Sequence, residues 1–449
     1  MTSKSISRRA LLRGASSSAF AFTFVPRHVL GGPKHTPPSE KLNAAGIGAG
    51  GKGASDIRGT ADAGCNIVAI CDADHRRAAG TFKRFPKAKR FKDFRLMLDR
   101  MGKQIDVVTV STPDHIHAPA SMMAIKMGKH VFCQKPLTHS VYEARRLAEA
   151  AREHKVATQM GIQGHCTEQT RLICEWVWAG LLGPVRELIY WTDRPLWPQG
   201  MDRPEGSDAV PAGLDWDVWL GPAPHRPFKA KYDQGPLKGK NVYLPFVWRG
   251  WWDFGTGALG DIGCHAWATA FWALNLKYPT SIEAVTSPVN NEAAPAWSVI
   301  TYEFPARGKL PPVKLTWYDG GKIPPRLKDL EPGREMGKNA RVIVGDNAAI
   351  FNGRIIPETK MKDLLQTPVP KTIPRSPGVY KEWIRACKGG EPAPANFAFS
   401  GPLAEAVLAG NLAVRTGKKI LWDGANMRCT NVPEANQYVR REYRKGWVL

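Results

Sequence analysis

Residues 42–57 read L-N-A-A-G-I-G-A-G-G-K-G-A-S-D-I, a short apolar run that passes through a glycine-rich loop into a helix-like stretch. Gly48, Gly50 and Gly53 match the pattern G-x-G-x-x-G. In a dinucleotide-binding unit the first glycine permits the tight turn, the second lets the backbone approach the pyrophosphate, and the third lets the helix pack closely. The stretch therefore predicts a strand, a phosphate-binding loop and a helix, in that order.

The next apolar run supports this interpretation. It extends from Asn66 to Cys71 and is followed by Asp72, close to the offset of about 20 residues at which an acid binds the ribose hydroxyls. A carboxylate there favours NAD, because it would repel the 2′-phosphate of NADP. Arg76 and Arg77 follow closely, so NADP stays an open alternative.

Strand-like and helix-like segments alternate up to about residue 160, which predicts a parallel, doubly wound sheet. The later strand-like runs are Asp106–Ser111 and His130–Cys133, and the helix-like runs are Ala118–Met127 and Val141–Glu153. Ligands of such sheets bind at the carboxyl ends of the strands. Two of those ends carry polar motifs, S-T-P-D-H-I-H at 111–117 and C-Q-K-P at 133–136.

Length and composition limit the class of protein. A chain of 449 residues exceeds the roughly 250–300 residues at which single cores stop growing, so we expect two domains. The net charge of +23 raises the question of nucleic acid, but the basic residues are spread along the chain, and we expect no such partner. The eight cysteines show no C-x-x-C or Cys/His spacing, which predicts buried thiols and no metal site.

The N-terminal residues have the pattern of an export signal. S-R-R-A-L-L-R-G at 7–14 precedes an apolar run from Ala15 to Val25 that is too short to span a membrane. A twin arginine before such a run is typical of the Tat pathway, and a chance arginine pair before a hydrophobic anchor is the alternative. We expect residues 1–40 to be a signal and linker, the Tat translocase to be a partner, and the protein to be periplasmic or otherwise exported.

A second domain is expected beyond about Val156. Strand-like runs there follow one another without intervening helices, which predicts an open, mainly antiparallel sheet. The predicted fold class is therefore α/β, an N-terminal Rossmann domain followed by an α+β domain. The expected boundaries are 41–160 for the Rossmann domain, 161–425 for the substrate and oligomerisation domain, and 426–449 for a basic C-terminal tail.

Residues 192–252 form an insertion-like stretch rich in Pro, Gly and Trp, which predicts an ordered loop region. Long ordered loops often carry binding specificity. Packing in the core or in the loop is the alternative role for each of its aromatic residues. The candidate substrate contacts, including two residues after a predicted strand, are Gln163, His165, Trp197, Arg249, Trp251 and Trp252.

Four motifs together resemble the glucose-fructose oxidoreductase, inositol dehydrogenase and rhizopine-catabolism (Gfo/Idh/MocA) family. They are the glycine loop, the S-T-P strand end, Lys135–Pro136, and G-A-L-G-D-I-G-C-H at 257–265. The resemblance extends from about Leu42 to Asp423 and implies that the C-terminal sheet makes the contacts of a homo-oligomer. It also implies a bend at Pro136 whose peptide bond is often cis.

The resemblance implies catalytic roles for three residues. Lys135 would lie beside the nicotinamide and the substrate hydroxyls, His265 would accept the hydroxyl proton, and Asp261 would orient the ring or a hydroxyl. Gln134 stands where the family has a glutamate, which weakens the plain dehydrogenase hypothesis. The cofactor contacts predicted from the residues and the resemblance are Gly48, Gly50, Gly53, Asp72, Ser111, Thr112, Pro113, His117, Gln134 and Lys135.

The predicted function is an exported NAD(P)-dependent oxidoreductase acting on a secondary hydroxyl of a sugar or cyclitol, with a tightly bound cofactor. Two alternatives remain open. One is an NAD-dependent glycosidase or lyase that oxidises a ring carbon transiently and eliminates the aglycone. The other is a catalytically inactive carbohydrate-binding relative, which Gln134 favours.

Overall fold

A computed structural model describes residues 40–449 of the chain. Within it, Asn43–Leu449 form one compact unit. The predicted twin-arginine signal and nearly all of its linker lie outside the described residues.

The first sheet has six strands, all paired in parallel. In chain order they are β1 (Asn43–Ile47), β2 (Asn66–Cys71), β3 (Lys89–Phe91), β4 (Val107–Val110), β5 (His130–Gln134) and β6 (Thr158–Gly161). Their order in the sheet is β3-β2-β1-β4-β5-β6. The strand order reverses between β1 and β4, and ligands of doubly wound sheets bind at that reversal.

Five helices connect these strands. They are α1 (Lys52–Asp62), α2 (His75–Arg84), α3 (Phe94–Met101), α4 (Asp114–Lys126) and α5 (Val141–Glu153). Local sequence explains where several of them begin. The Asp74 and Asp93 carboxylates accept backbone N–H groups at the starts of α2 and α3, and Ser140 with Glu143 forms a capping box at α5.

The second sheet has nine strands. They are β7 (Val185–Trp191), β8 (Ser281–Thr286), β9 (Ser298–Phe304), β10 (Val313–Tyr318), β11 (Ala340–Gly345), β12 (Ala349–Phe351), β13 (Arg354–Ile356), β14 (Ile420–Asp423) and β15 (Arg428–Cys429). Their order is β13-β12-β11-β7-β10-β9-β8-β14-β15, and within this sheet, as described over residues 40–449, only β7 and β10 pair in parallel. The predicted fold class, a Rossmann sheet followed by a mainly antiparallel sheet, is confirmed.

Six helices follow the Rossmann sheet. They are α6 (Glu168–Trp178), α7 (Trp216–Leu220), α8 (Gly257–Leu274), α9 (Glu358–Gln366), α10 (Val379–Cys387) and α11 (Phe397–Thr416). By length and composition α11 could cross a membrane, but 78% of its apolar window is buried inside the fold. It packs against α5 and α8, so its apolar character belongs to the core.

The insertion at 192–252 is ordered around an aromatic core of its own, in which the rings of Trp216 and Trp219 stack with centroids 4.8 Å apart. The C-terminal residues also pack against the rest of the fold. Trp447 is 7% exposed and contacts Phe94 on α3. The last 24 residues include β15 and a short 3-10 helix, Pro433–Tyr438.

Candidate active site

A cavity of about 650 Å³ opens at the carboxyl ends of β1, β2, β4 and β5. Its walls come from the Rossmann strand ends, from the insertion and from the first turns of α8. The sequence-predicted residues that line it are Gly48, Gly50, Asp72, Ser111, Thr112, Pro113, Gln134, Lys135, Gln163, Arg249, Asp261 and His265.

The glycine loop at one end of this cavity leaves no room for side chains at its first and third motif glycines, Gly48 and Gly53. Gly48 has φ +82°, and a Cβ there would lie 2.5 Å from the Ser111 carbonyl oxygen. A Cβ on Gly53 would lie 2.0 Å from the Gly48 carbonyl oxygen, so this glycine permits the close approach of α1. No side chain caps the start of α1, which leaves the positive end of the helix available to an anion. The loop therefore fits a dinucleotide pyrophosphate.

Asp72 follows β2 and binds the backbone of the glycine loop with its side chain. Its Oδ2 accepts the N–H groups of Ala49 and Gly50 at 2.7 and 3.2 Å, and its Oδ1 accepts that of Asp74 at 2.9 Å. Burial raises the pKa of Asp72, and these backbone donors oppose the rise. Arg76 and Arg77 both line the cavity, but the Arg76 guanidinium is bound to Asp74, so Arg77 is the arginine that could meet a 2′-phosphate.

Lys135, Asp261 and Arg249 form one charged network in the cavity wall. Lys135 Nζ donates to Asp261 Oδ1 and to its backbone oxygen, both at 2.6 Å. Arg249 Nε donates to the same Oδ1 at 3.0 Å. Burial opposes ionisation of Asp261, but the two cations more than offset it, and the pKa of this carboxyl is lowered. The peptide bond that joins Lys135 to Pro136 is cis.

His265 lies one turn beyond Asp261 on α8 and also lines the cavity. Its ring has no hydrogen-bond partner among residues 40–449. Burial and the nearby Lys135 lower its pKa to about 3, against the opposing charge of Asp261. The ring is therefore neutral at physiological pH.

Asp114 is a cavity residue that the sequence analysis missed. It is the first residue of α4, is 3% exposed, and accepts the Thr256 hydroxyl with Oδ2 at 2.8 Å. Burial raises its pKa to about 7, although Arg249 and Lys135 lower it. Its position directly after S-T-P, at the end of β4, could have identified it as a site residue from the sequence.

Gln134 is bound to a carboxylate that the sequence analysis also missed. Its Nε2 donates to Asp56 Oδ2 at 2.9 Å, and Asp56 is 0% exposed. Asp56 also accepts the hydroxyls of Ser111 and Tyr380, at 2.7 and 2.6 Å, and pairs with Lys52. A glutamate at 134 would face this carboxylate directly, whereas the glutamine amide donates a hydrogen bond to it.

Several predicted contacts lie behind the wall of the cavity. His117 joins the two strand-end loops, with Nδ1 2.7 Å from the Pro136 oxygen and Nε2 2.9 Å from the Thr112 oxygen. Burial lowers its pKa to about 4. The predicted substrate residues that do not line the cavity are His165, Trp197, Trp251 and Trp252.

Contacts inside the fold explain the positions of two of these residues, His165 and Trp251. The His165 ring lies against Trp272 and Phe399, with centroids 4.7 and 4.8 Å away, and Trp251 donates to the Val242 oxygen. The aromatic residues of the cavity wall include instead Trp219, Phe246 and Trp248, which were not among the predicted contacts.

Comparison with known families matches both parts of the fold. Residues 42–162 match the oxidoreductase family with an NAD-binding Rossmann fold, Gfo/Idh/MocA. Residues 197–449 match the C-terminal alpha/beta domain of the same oxidoreductase family.

Two named dehydrogenases are similar to part of the chain. The chain is 32% identical over 149 residues to inositol 2-dehydrogenase of Rubrobacter xylanophilus, covering 32% of this chain and 42% of that protein. It is 27% identical over 116 residues to levoglucosan dehydrogenase of Pseudarthrobacter phenanthrenivorans, covering 26% of this chain and 29% of that one. These matches span less than half the length of the relatives.

The fold is also found in solved structures. The WlbA dehydrogenase from Bordetella pertussis, in complex with NADH and UDP-GlcNAcA, aligns with a TM-score of 0.57 and 16% identity over 85% of this chain and 98% of that one. Both domains match the family in sequence. The chain therefore belongs to the Gfo/Idh/MocA family of oxidoreductases, and its N-terminal part is the NAD-binding Rossmann domain of that family.

Proposed function

We propose that this protein is an exported NAD-dependent dehydrogenase that oxidises a secondary hydroxyl of a sugar or cyclitol. One observation carries the proposal. The network of Lys135, Asp261 and Arg249, together with His265, lies in the same cavity as the glycine loop. A substrate hydroxyl in that cavity meets a cation and a neutral base beside the cofactor site.

NAD, when bound, accepts the hydride from the carbinol carbon. Lys135 then has the task of binding the hydroxyl oxygen and stabilising its developing negative charge. An ammonium group has three N–H donors, and two of those on Lys135 are directed to Asp261. The third is available to the substrate, and Asp261 with Arg249 keeps the lysine side chain in place.

His265 is the proposed acceptor of the hydroxyl proton. Its low pKa keeps the ring unprotonated before the reaction, and the negative charge of Asp261 stabilises the imidazolium that proton transfer creates. Asp114 lines the same cavity with a pKa of about 7, so it is placed to exchange a proton near neutral pH.

The cavity wall suits a polyhydroxylated ring. Apolar surface is supplied by three aromatic side chains, Trp219, Phe246 and Trp248. Hydrogen-bond donors in the same wall are supplied by Gln163 and Arg249. Binding sites for small molecules combine a mainly apolar lining with a few placed polar groups. Inositol and levoglucosan, named in the relatives, are the first substrates to test.

Glycoside cleavage through transient oxidation is a second candidate, and two hydrogen bonds favour it. The insertion is bound to the nucleotide end of the cavity, where Asp215 N–H donates to the Ala73 oxygen at 2.8 Å and His75 N–H donates to the Gly213 oxygen at 3.1 Å. Such contacts would slow cofactor release. A retained cofactor suits a reaction that returns the hydride and consumes no NAD.

Export through the Tat translocase, with a periplasmic location, is supported by Arg8 and Arg9 before the apolar run. A folded protein carrying its cofactor is the kind of cargo that this route moves. A homo-oligomer is supported by exposed apolar side chains on neighbouring strands of the second sheet, Val285 on β8 and Leu421 on β14. Changing Arg8 and Arg9 together to lysine should retain the protein in the cytoplasm on cell fractionation.

The activity test uses the mature protein purified without added cofactor. Denaturation should release a nicotinamide nucleotide, which chromatography identifies. Sugars, cyclitols and aryl glycosides are then screened for reduced nicotinamide and for released aglycone. Net reduction supports the dehydrogenase, and aglycone release without net reduction supports the second candidate. No turnover of any of these compounds, or full activity in His265→Ala, would contradict the proposal.

A further inference from the structure

A second cavity, of about 80 Å³, lies between the start of α8, the end of α11 and the C-terminal segment. It is separate from the residues assigned above to catalysis and cofactor binding. Its polar lining includes His139, Trp252, Thr256, Asn411, Arg415 and Arg441.

Buried donors in this cavity have no partner in the described part of the chain. Trp252 is 5% exposed, and its indole Nε1 is buried without an acceptor. Nε and Nη1 of Arg441 are buried and unpartnered as well. A buried donor without an acceptor costs free energy, and a charged donor costs more than a neutral one. These three nitrogen donors therefore require an acceptor in the cavity.

The two arginines also lack a directly paired carboxylate in the described part of the chain. Neither Arg415 nor Arg441 forms an ion pair within residues 40–449, and no carboxylate lines the cavity. Arg415 is stacked on the rings of Tyr438 and Trp252, with its guanidinium carbon 3.8 and 5.1 Å from their centroids. Stacking occupies the faces of a guanidinium and leaves its N–H edge free to bind an anion.

The nearest acids are already bound to other groups. Glu143 accepts the N–H groups of His139 and Ser140 at 3.0 and 2.9 Å, and the Tyr443 hydroxyl at 2.7 Å. Asp253 is paired with Arg226. The positive charge in the cavity is therefore only partly balanced by neighbouring carboxylates.

The cavity also adjoins the positive end of the catalytic helix. Thr256 precedes α8 and lines the cavity, but its side chain does not cap the helix. Its hydroxyl donates instead to Asp114, which lines the active-site cavity. The dipole of an 18-residue helix adds to the attraction for negative charge at this end.

We propose that this cavity binds one small oxyanion of the phosphate or sulfate class. Its volume of about 80 Å³ exceeds the roughly 30 Å³ that one water occupies and leaves room for a tetrahedral ion. Guanidinium groups bind such ions through paired, charge-assisted hydrogen bonds, and Trp252 adds a neutral donor. The anion would supply the missing acceptors and link the C-terminal segment to α8.

The test is equilibrium dialysis of the full mature chain, saturated with NAD, against radiolabelled inorganic phosphate, with sulfate as competitor. Saturating NAD keeps phosphate from the glycine loop. We expect one saturable site per chain, in which sulfate competes. Arg441→Gln should weaken the affinity about tenfold or more, because it removes a charged donor. Trp252→Phe keeps an aromatic side chain but loses the indole N–H together with part of the ring, and it should also weaken binding.

Lys445→Gln is the matched control, because it removes one exposed positive charge four residues from Arg441. It should bind phosphate as the parent chain does. Circular dichroism identifies any variant that has not folded, and Trp252→Phe serves in place of Arg441→Gln in that case. Absence of saturable binding would mean that the cavity holds only water and would overturn the proposal. Equal affinity in the parent, Arg441→Gln and Trp252→Phe would overturn it too.

Discussion

Gln134 and Asp56 form a buried amide–carboxylate pair, in which the Gln134 Nε2 donates to the Asp56 Oδ2 at 2.9 Å. The pair joins the end of β5 to α1 behind the glycine loop. Asp56 also accepts the Tyr380 hydroxyl from α10. A negative charge is thus present beside position 134, but Asp56 holds it, and the glutamine is the donor that this carboxylate needs. The glutamine therefore gives little support to an inactive relative.

The first prediction concerns this pair. Gln134→Glu places two carboxylates in contact and removes a donor, so the free energy of unfolding in urea at neutral pH should fall by about 1–3 kcal/mol. Lowering the pH should relieve the loss, because one carboxyl can then take up a proton. The double variant Gln134→Glu/Asp56→Asn restores an amide–carboxylate pair and should recover most of the stability. A double variant no more stable than the single one would contradict the pairing.

The second prediction concerns Lys135. Lys135→Met removes the cation proposed to stabilise the substrate oxygen, and kcat should fall about 100-fold or more. Steady-state kinetics on the identified substrate measure the effect. Lys103→Met, at an exposed lysine, is the matched control and should keep the parental kcat. A change in KM alone would mean that Lys135 binds substrate without assisting the reaction.

The third prediction concerns Asp114 and pH. In an unfolded chain the pKa of aspartate is about 3.9, whereas burial raises that of Asp114 to about 7. Between these values the folded protein holds a proton that the unfolded chain has released. The contribution to stability is therefore complete below about pH 4 and is lost as the pH rises through about 7, by up to about 1.4 kcal/mol per pH unit.

Urea unfolding from pH 4 to 8 tests this slope. Asp114→Asn keeps an oxygen to accept the Thr256 hydroxyl but has no proton to lose, so its stability should depend less steeply on pH than that of the parent. Asp329→Asn changes an exposed aspartate and should leave the parental slope intact. Identical slopes in the parent and Asp114→Asn would show that Asp114 is ionised throughout.

The fourth prediction concerns cofactor choice. Asp72→Ser removes the carboxylate expected to bind the ribose hydroxyls, so the affinity of the cofactor-free protein for NAD should fall about tenfold or more. The affinity for NADP should rise, because the repulsion is gone and Arg77 lines the cavity. Fluorescence titration with both nucleotides gives the ratio. Adding Arg77→Met should cancel the gain in affinity for NADP. If the ratio of the NAD and NADP affinities is unchanged in Asp72→Ser, the ribose does not bind at Asp72.

The sequence by itself determined the features that depend on local backbone geometry. The spacing of Gly48, Gly50 and Gly53 predicted the cofactor loop, and β2 ends where Asp72 was expected to follow it. Residues four apart on a helix share a face, and Asp261 and His265 do line one cavity. Such patterns are visible because neighbouring residues in the chain specify them.

Only the tertiary structure decided which side chains meet across the chain. Gln134 and Asp56 are 78 residues apart, and Asp114 and Thr256 are 142 apart. In the insertion, composition predicted order but could not distinguish the tryptophans of the cavity wall from those of the core. These contacts depend on how distant segments pack, and packing also sets the burial that raises the pKa of Asp114 and lowers that of His265.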